Sequence, residues 1–206
     1  MLCCEQYDIE NNVRYILMST HEFIVYTGAM FAGKTTKLML TLDRMKYQNR
    51  KVVAFKPMID SRYSVADITT HMGWKYPAHV VAKGADILKF LADSNLDYEV
   101  IVVDEQFMIQ GSADVLIWLF KKGFTIVVST LDLSATGKPF EEVQKILPFA
   151  TQIDKCISVC SVCGSNAYYT HKKVKNDDEI VVGGSELYEP RCFKHFTHLN
   201  DVDEFE

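Results

Sequence analysis

No apolar stretch in this sequence approaches the roughly 18 residues that a membrane-spanning helix requires, so no membrane partner is expected. The opening MLCCEQYDIENNVRY has neither the basic start nor the apolar core of a secretory signal, and a cytoplasmic location is the expectation. Basic residues are not in excess: 22 Lys and Arg against 27 Asp and Glu leave a net charge of −5. That balance argues against non-specific coating of nucleic acid, and no nucleic-acid partner is expected. Six cysteines in 206 residues are too few and too scattered for a dense disulfide framework. Internal repeats and low-complexity tracts are absent as well. What remains, 48% hydrophobic and 24% charged residues, suits a folded soluble chain with one core and a small satellite lobe.

The chain divides into three parts. Residues 1–20 carry little periodicity and read as an extension. From Phe23 a short apolar run ends in a glycine turn, and helical spacing follows through Leu38, Leu42 and Met45. The run from Lys51 to Pro57, the nearly continuous Val/Ile segment ending in Asp104 and Glu105, and the run from Phe124 read as strands covered on both faces. A helix closed by Gly123 lies between the last two. Strands alternating with helices predict an α/β fold over residues 21–150, a P-loop parallel sheet flanked by helices with right-handed crossovers. Residues 151–206 lack a long helical repeat. They read as short antiparallel strands around a metal, forming a small C-terminal zinc-binding lobe.

Gly28, Gly33, Lys34 and Thr35 stand in the pattern GxxxxGK[ST], after an apolar run and at the start of a helical pattern. That context is the one a phosphate-binding loop needs. Glycines let the backbone curl and turn N–H groups inward, and the helix N-terminus adds partial positive charge. Lys34 can reach the β- and γ-phosphates, and Thr35 can hold Mg²⁺. Asp104 and Glu105 close a strand on the side where such sheets bind ligands, so Asp104 reads as the Mg²⁺-side acid and Glu105 as the base.

Cys160 and Cys163 are spaced C-x2-C, and Cys192 and His195 repeat that spacing. Four such ligands suit tetrahedral Zn²⁺ with no open position, a structural rather than a reactive site. Cys156, at the less favourable C-x3-C spacing, reads as a small apolar residue.

Several separate segments together resemble the cytosolic type of thymidine kinase, found in animals, bacteria and large DNA viruses. They are GAMFAGKTTKL, KPMIDSRYS, VVDEQF, LDLSATGKPF, SVCSVCG, VVGGSELY and CFKH, in family order from about residue 23 to 195. The resemblance implies transfer of the γ-phosphoryl of ATP to thymidine, with Mg²⁺, a structural Zn²⁺ and a homotetrameric assembly. It implies a nucleotide-binding set of Gly28, Ala29, Met30, Phe31, Ala32, Gly33, Lys34, Thr35 and Thr36, with Asp104 and Gln106. Glu105, Lys34 and Arg62 are the implied catalytic residues. Met30, Phe107 and Leu131 are implied to wall the nucleoside pocket, with Tyr188 and the backbone at Val182 and Gly183 holding the base. Lys138, Pro139 and Phe140 resemble the start of a lasso closing over the nucleoside.

Two departures from the family pattern leave alternatives open. The family usually places one residue between the acidic pair and the Gln-Phe, whereas Asp104, Glu105, Gln106 and Phe107 are contiguous here. Either the acids keep their register, or they shift by one and Val103 takes the metal-side position, which would favour an inactive nucleotide-binding homologue. Leu133, Ser134 and Ala135 stand where the family commonly has Gly-Thr-Phe, and the lost aromatic points to altered deoxynucleoside specificity. A zinc-ribbon binding module is the remaining reading, opposed by the acidic residues beside Lys175.

Overall fold

The computed structural model describes residues 21–59, 67–70, 72–94, 96–174 and 182–196, together with the backbone of Gln6–Asp8 and Val13–Tyr15, which pair antiparallel. The rest of the expected extension over 1–20 lies outside the described residues.

Six strands form one sheet: β1 (Phe23–Thr27), β2 (Val52–Pro57), β3 (His79–Val81), β4 (Val100–Val103), β5 (Thr125–Ser129) and β6 (Gln152–Lys155). Their order is β6-β1-β5-β4-β2-β3, and every pairing is parallel. For β1, β2, β4 and β5 the apolar runs predicted this, because a parallel sheet needs crossovers that cover both faces. Helix α1 (Lys34–Tyr47) supplies Leu38, Leu42 and Met45 to one face, against Ile24, Val102 and Val127. Asn49, at φ 55, turns the chain away after it.

Helices α2 (Gly84–Asp93), α3 (Ser112–Lys121) and α4 (Glu141–Ile146) cover the other face, where Ile87, Leu116 and Ile146 meet Val53, Ile101 and Val103. Val100, Ile101, Val102 and Val103 are all fully buried. Each such side chain contributes about 1.5–3 kcal/mol of transfer free energy. Gly123 closes α3 at φ 96, as the sequence predicts. No helix among the described residues is long and apolar enough to cross a membrane.

The strand β6 lies beyond the boundary expected at residue 150, yet it pairs with β1 as an edge of the main sheet. Its exposed Gln152 and Lys155 conceal it in the sequence. The lobe itself starts after Cys156. Strand β7 (Ser158–Val159) pairs with β8 (Asn166–Ala167), and β9 (Tyr169–Lys172) with β10 (Tyr188–Arg191), all antiparallel.

The segment from Leu133 to Pro139 is a closed turn. Leu133 bridges Pro139, and the Ser134 N–H donates to the Lys138 carbonyl at 2.8 Å. Phe140, expected at the start of a lasso, is instead buried at the head of α4, its ring 4.6 Å from that of Phe107. Apolar contact with Phe107 anchors it, and Glu142 just beyond holds α3. The Glu142 carboxylate accepts from the N–H groups of Gly111 and Ala113, both at 2.8 Å, neutralising the start of α3.

Helix α2 begins in close contact with that same point, since the Gly84 N–H donates to the Gln110 carbonyl at 2.9 Å. A Cβ on Gly84 would overlap the Gly111 carbonyl and lie 2.8 Å from the Ser112 nitrogen. Those are backbone atoms and cannot yield cheaply. Gly84→Ala should therefore lower stability by about 1–3 kcal/mol, read as a shift in the urea midpoint with an unchanged slope.

Candidate active site

The cavity lies at the carboxyl edge of the sheet, where parallel α/β folds bind ligands. The loop between β1 and α1 makes its floor. Gly28 has φ 126 and Gly33 φ 77, and Phe31 adopts φ 62 without glycine's freedom, so the backbone is curled tightly. Met30, Phe31, Gly33, Lys34, Thr35 and Thr36 line the cavity, while Gly28, Ala29 and Ala32 of the same loop do not. The Lys34 ammonium is buried and donates to the Ala29 carbonyl at 2.8 Å. Burial holds it below the ordinary lysine range, although Glu105 and Asp104 pull it upward. An arriving polyanion would add to that upward pull.

Asp104 follows the last residue of β4. Its carboxylate accepts from the Thr35 hydroxyl at 3.3 Å and from the Ser129 hydroxyl. Val103, one residue earlier, is fully buried in the core on the opposite face. Glu105 also lines the cavity, held at φ 50 and ψ 45, a left-handed conformation uncommon for a side chain of its kind. That turn sends the next residue inward. Gln106, expected at the nucleotide, is fully buried outside the cavity, donating to the Ser112 hydroxyl at 2.8 Å and accepting from Thr130 at 3.4 Å. It ties the start of α3 to the end of β5 rather than facing the cavity.

Met30 joins the cavity to an apolar cluster of Phe107, Leu131, Phe140 and Val143. The three residues expected to wall a nucleoside therefore lie together. The lobe contributes from the other side, but through Gly184, which lines the cavity, whereas Val182, Gly183 and Tyr188 do not. Tyr188 is buried, and its N–H donates to the Gly184 carbonyl at 3.0 Å. Arg62 lies outside the described residues. Sequence reasoning missed Lys56, Ile68, Thr69, Thr70 and Gly184, all of which line the cavity. A lysine at the carboxyl end of a buried parallel strand was the available signal for Lys56.

Hydrogen bonds tie the lobe to the loop, among them Met30 N–H to the Thr170 hydroxyl at 3.0 Å and the Ser158 hydroxyl to the Phe31 carbonyl at 3.3 Å. Within it, the donor atoms of Cys160, Cys163, Cys192 and His195 all lie within 4.8 Å of one another. Cys163 Sγ is 3.7 Å from Cys192 Sγ, and His195 Nδ1 is 3.7 Å from Cys160 Sγ and 3.2 Å from Cys192 Sγ. Tetrahedral Zn²⁺ with Zn–S near 2.3 Å sets sulfur atoms about 3.8 Å apart, so the cluster is compatible with a zinc site. Burial raises the Cys160 thiol. The N–H groups of Cys192, Val162 and Cys163, with the His195 ring, outweigh that and bring it down to about 5. Cys192 is pushed up, by burial and by its Cys160 and Cys163 neighbours. One thiolate is thus favoured and a second is opposed, the pattern a cation relieves.

Cys156 is buried and its thiol is raised mainly by burial, as expected of a small apolar residue.

Comparison with known proteins bears on this arrangement. A family model described as thymidine kinase matches residues 21–196. A protein named thymidine kinase from Thermococcus kodakarensis is 38% identical over 181 residues, covering 83% of this chain and 91% of that one. One of the same name from Pyrobaculum aerophilum is 33% identical over 180 residues, 84% of this chain and 97% of its own. Another, from Bacteroides thetaiotaomicron, is also 33% identical over 180 residues, 87% of this chain and 88% of that one.

The tightest point of the loop gives a direct test. A Cβ on Gly28 would overlap the Cys156 carbonyl, and φ 126 is itself unfavourable for any L side chain. Gly28→Ala should cost about 2–4 kcal/mol of stability, measured by urea denaturation beside Gly33→Ala. A Cβ on Gly33 meets nothing within 4 Å, so that variant bears only the cost of its backbone angle.

Proposed function

Because the chain belongs to the thymidine kinase family, we propose that it transfers the γ-phosphoryl group of ATP to the 5′-hydroxyl of thymidine, giving thymidine monophosphate. The observation that carries this reading is the convergence on one cavity of a curled phosphate loop, the Asp104–Glu105 pair and the Met30 end of an apolar wall.

In the proposed reaction the thymidine 5′-oxygen bonds to the γ-phosphorus while the bond to the β–γ bridging oxygen breaks. The hydroxyl proton passes to Glu105, and ADP leaves. Loop N–H groups and Lys34 orient the phosphates and offset their charge, and positioning supplies most of the acceleration. Arg62 is a further proposed phosphate contact. Thr35 and Asp104 would hold Mg²⁺, which when bound supplies charge neutralisation to the phosphates. Their hydrogen bond supports the unshifted register, with Asp104 on the metal side and Glu105 as base. The apolar cluster would pack against the base, and the backbone from Val182 to Gly184, with Tyr188, would complete the pocket. The Cys160, Cys163, Cys192 and His195 set would hold one structural Zn²⁺ and fix the lobe.

We further propose a cytoplasmic homotetramer. Self-association is supported by the outer face of α1, which leaves Leu40 55% and Tyr47 82% exposed, with Leu40 lining one groove together with the half-exposed Trp74. Relaxed base selection is a second reading of the same pocket. It is favoured by Ala135, a small, partly buried residue in the Leu133–Pro139 turn.

Incubation with labelled ATP and each of the four deoxynucleosides tests activity and specificity together. Thymidine should be phosphorylated, and absence of transfer to every acceptor would refute the reading. Lys34→Ala should lower turnover about 100-fold or more, the usual scale for losing one transition-state charge contact, with the fold kept by circular dichroism. Glu105→Gln should bind thymidine normally but turn over slowly, and added Mg²⁺ should not restore it. Asp104→Asn should instead raise the Mg²⁺ concentration needed for half-maximal rate. Elemental analysis should find one zinc per chain, and Cys192→Ser should lose both the metal and thymidine affinity.

A further inference from the structure

The cavity has a wall that the phosphate loop and the acidic pair do not account for. It is built by the hairpin of Asp67–Thr69 with Lys75–Pro77, seated on the end of β2. Lys56 lies in β2 one residue beyond Phe55, which pairs with Val103, and the Asp104 N–H donates to the Phe55 carbonyl at 3.0 Å. Lys56 and Asp104 are therefore equivalent steps past one rung on neighbouring strands. Strand alternation puts Lys56 on the face of Ala54, the face that α1 covers. The Lys56 side chain lines the cavity with Lys34, Thr35, Asp104 and Glu105, and Lys56 is only 5% exposed. Its ammonium donates to the Asp67 carbonyl at 3.3 Å, which fixes its direction and secures the hairpin.

The hairpin adds a second observation. Ile68 is buried in the core, whereas the Thr69 hydroxyl, on a residue lining the same cavity, is buried without a hydrogen-bond partner among the described residues. Native proteins rarely leave such a group unsatisfied unless something else binds there. A hydroxyl donor and a buried ammonium on one wall are suited to non-bridging phosphate oxygens.

We infer that Lys56 and Thr69 form a subsite for the γ-phosphoryl group, with Lys56 a second cation on the group being transferred. The inference rests on the ATP:thymidine reading above and deepens it. The phosphate loop accounts for holding a diphosphate. The hairpin wall supplies contacts that only a triphosphate fills, and these strengthen as charge builds on the oxygens in transfer.

The test compares affinity for ADP with that for the non-hydrolysable β,γ-imido analogue of ATP, by calorimetry at saturating Mg²⁺. Thymidine affinity and turnover are measured beside it. Lys56→Met should lose about tenfold or more of the preference for triphosphate over diphosphate and about 100-fold in turnover, with thymidine affinity unchanged. Lys56→Arg should recover most of the preference. Thr69→Val, nearly isosteric and independent of the Lys56–Asp67 contact, should cut turnover about tenfold, and Thr69→Ser should restore it. Equal losses for both nucleotides, or an unchanged preference in Lys56→Met and Thr69→Val, would overturn the subsite and leave the parent reading standing. A wild-type chain that binds nucleotide but transfers nothing to thymidine would overturn both.

Discussion

A lysine ammonium buried at the head of a helix is the constraint around which this molecule is arranged. Lys34 would be costly to bury unless its proton donors and its charge were both answered. The Ala29 carbonyl answers one, and Asp104 and Glu105 answer the other. Each answer imposes its own requirement. The carbonyl can turn inward only if the loop curls through positive φ at Gly28, Phe31 and Gly33. The acids can stand beside the loop only if β4 lies next to β5 and close to β1, which the strand order provides. Ser129, at the end of β5, then locks Asp104 in place.

The second lobe enters through the same loop. Met30 and Phe31 are bonded to Thr170 and Ser158, so the lobe grips the loop at two adjacent residues. A lobe with little apolar core of its own, having Cys160, Ala167 and Cys192 as its buried cluster, needs another source of rigidity. Four metal-type ligands fit that need. Their geometry and the loop's are therefore mechanically connected through β7 and β9.

Much of this was legible in the sequence. Strands β1, β2, β4 and β5 are fully covered, so their Val/Ile runs announce themselves, and the phosphate loop and the two cysteine knuckles are spacing signals that need no tertiary context. Strand β6 was hidden because an edge strand keeps polar residues such as Gln152 and Lys155. Helices α2 and α4 went unread because each is short and is entered through a residue, Gly84 at the head of one and Phe140 just before the other, chosen for contact rather than for helix formation. Gln106, assigned to the nucleotide by resemblance, lies elsewhere because one left-handed residue between strand and turn sends it and Glu105 to different places. Lys56 and Thr69 escaped because they reach the cavity through sheet register and a hairpin, and neither is visible as a local pattern.

That left-handed residue sets two selective pressures against each other. Glu105 adopts φ 50, where glycine or asparagine would rest more comfortably. A chain drifting under selection for foldability alone would tend to relax the turn by exchanging Glu105 for a residue suited to it. A chain kept for the chemistry proposed for Glu105 retains the carboxylate and bears the strain. Under that proposal stability and activity trade against each other at this one position, and the occupant of the turn in any descendant of this sequence records which demand prevailed.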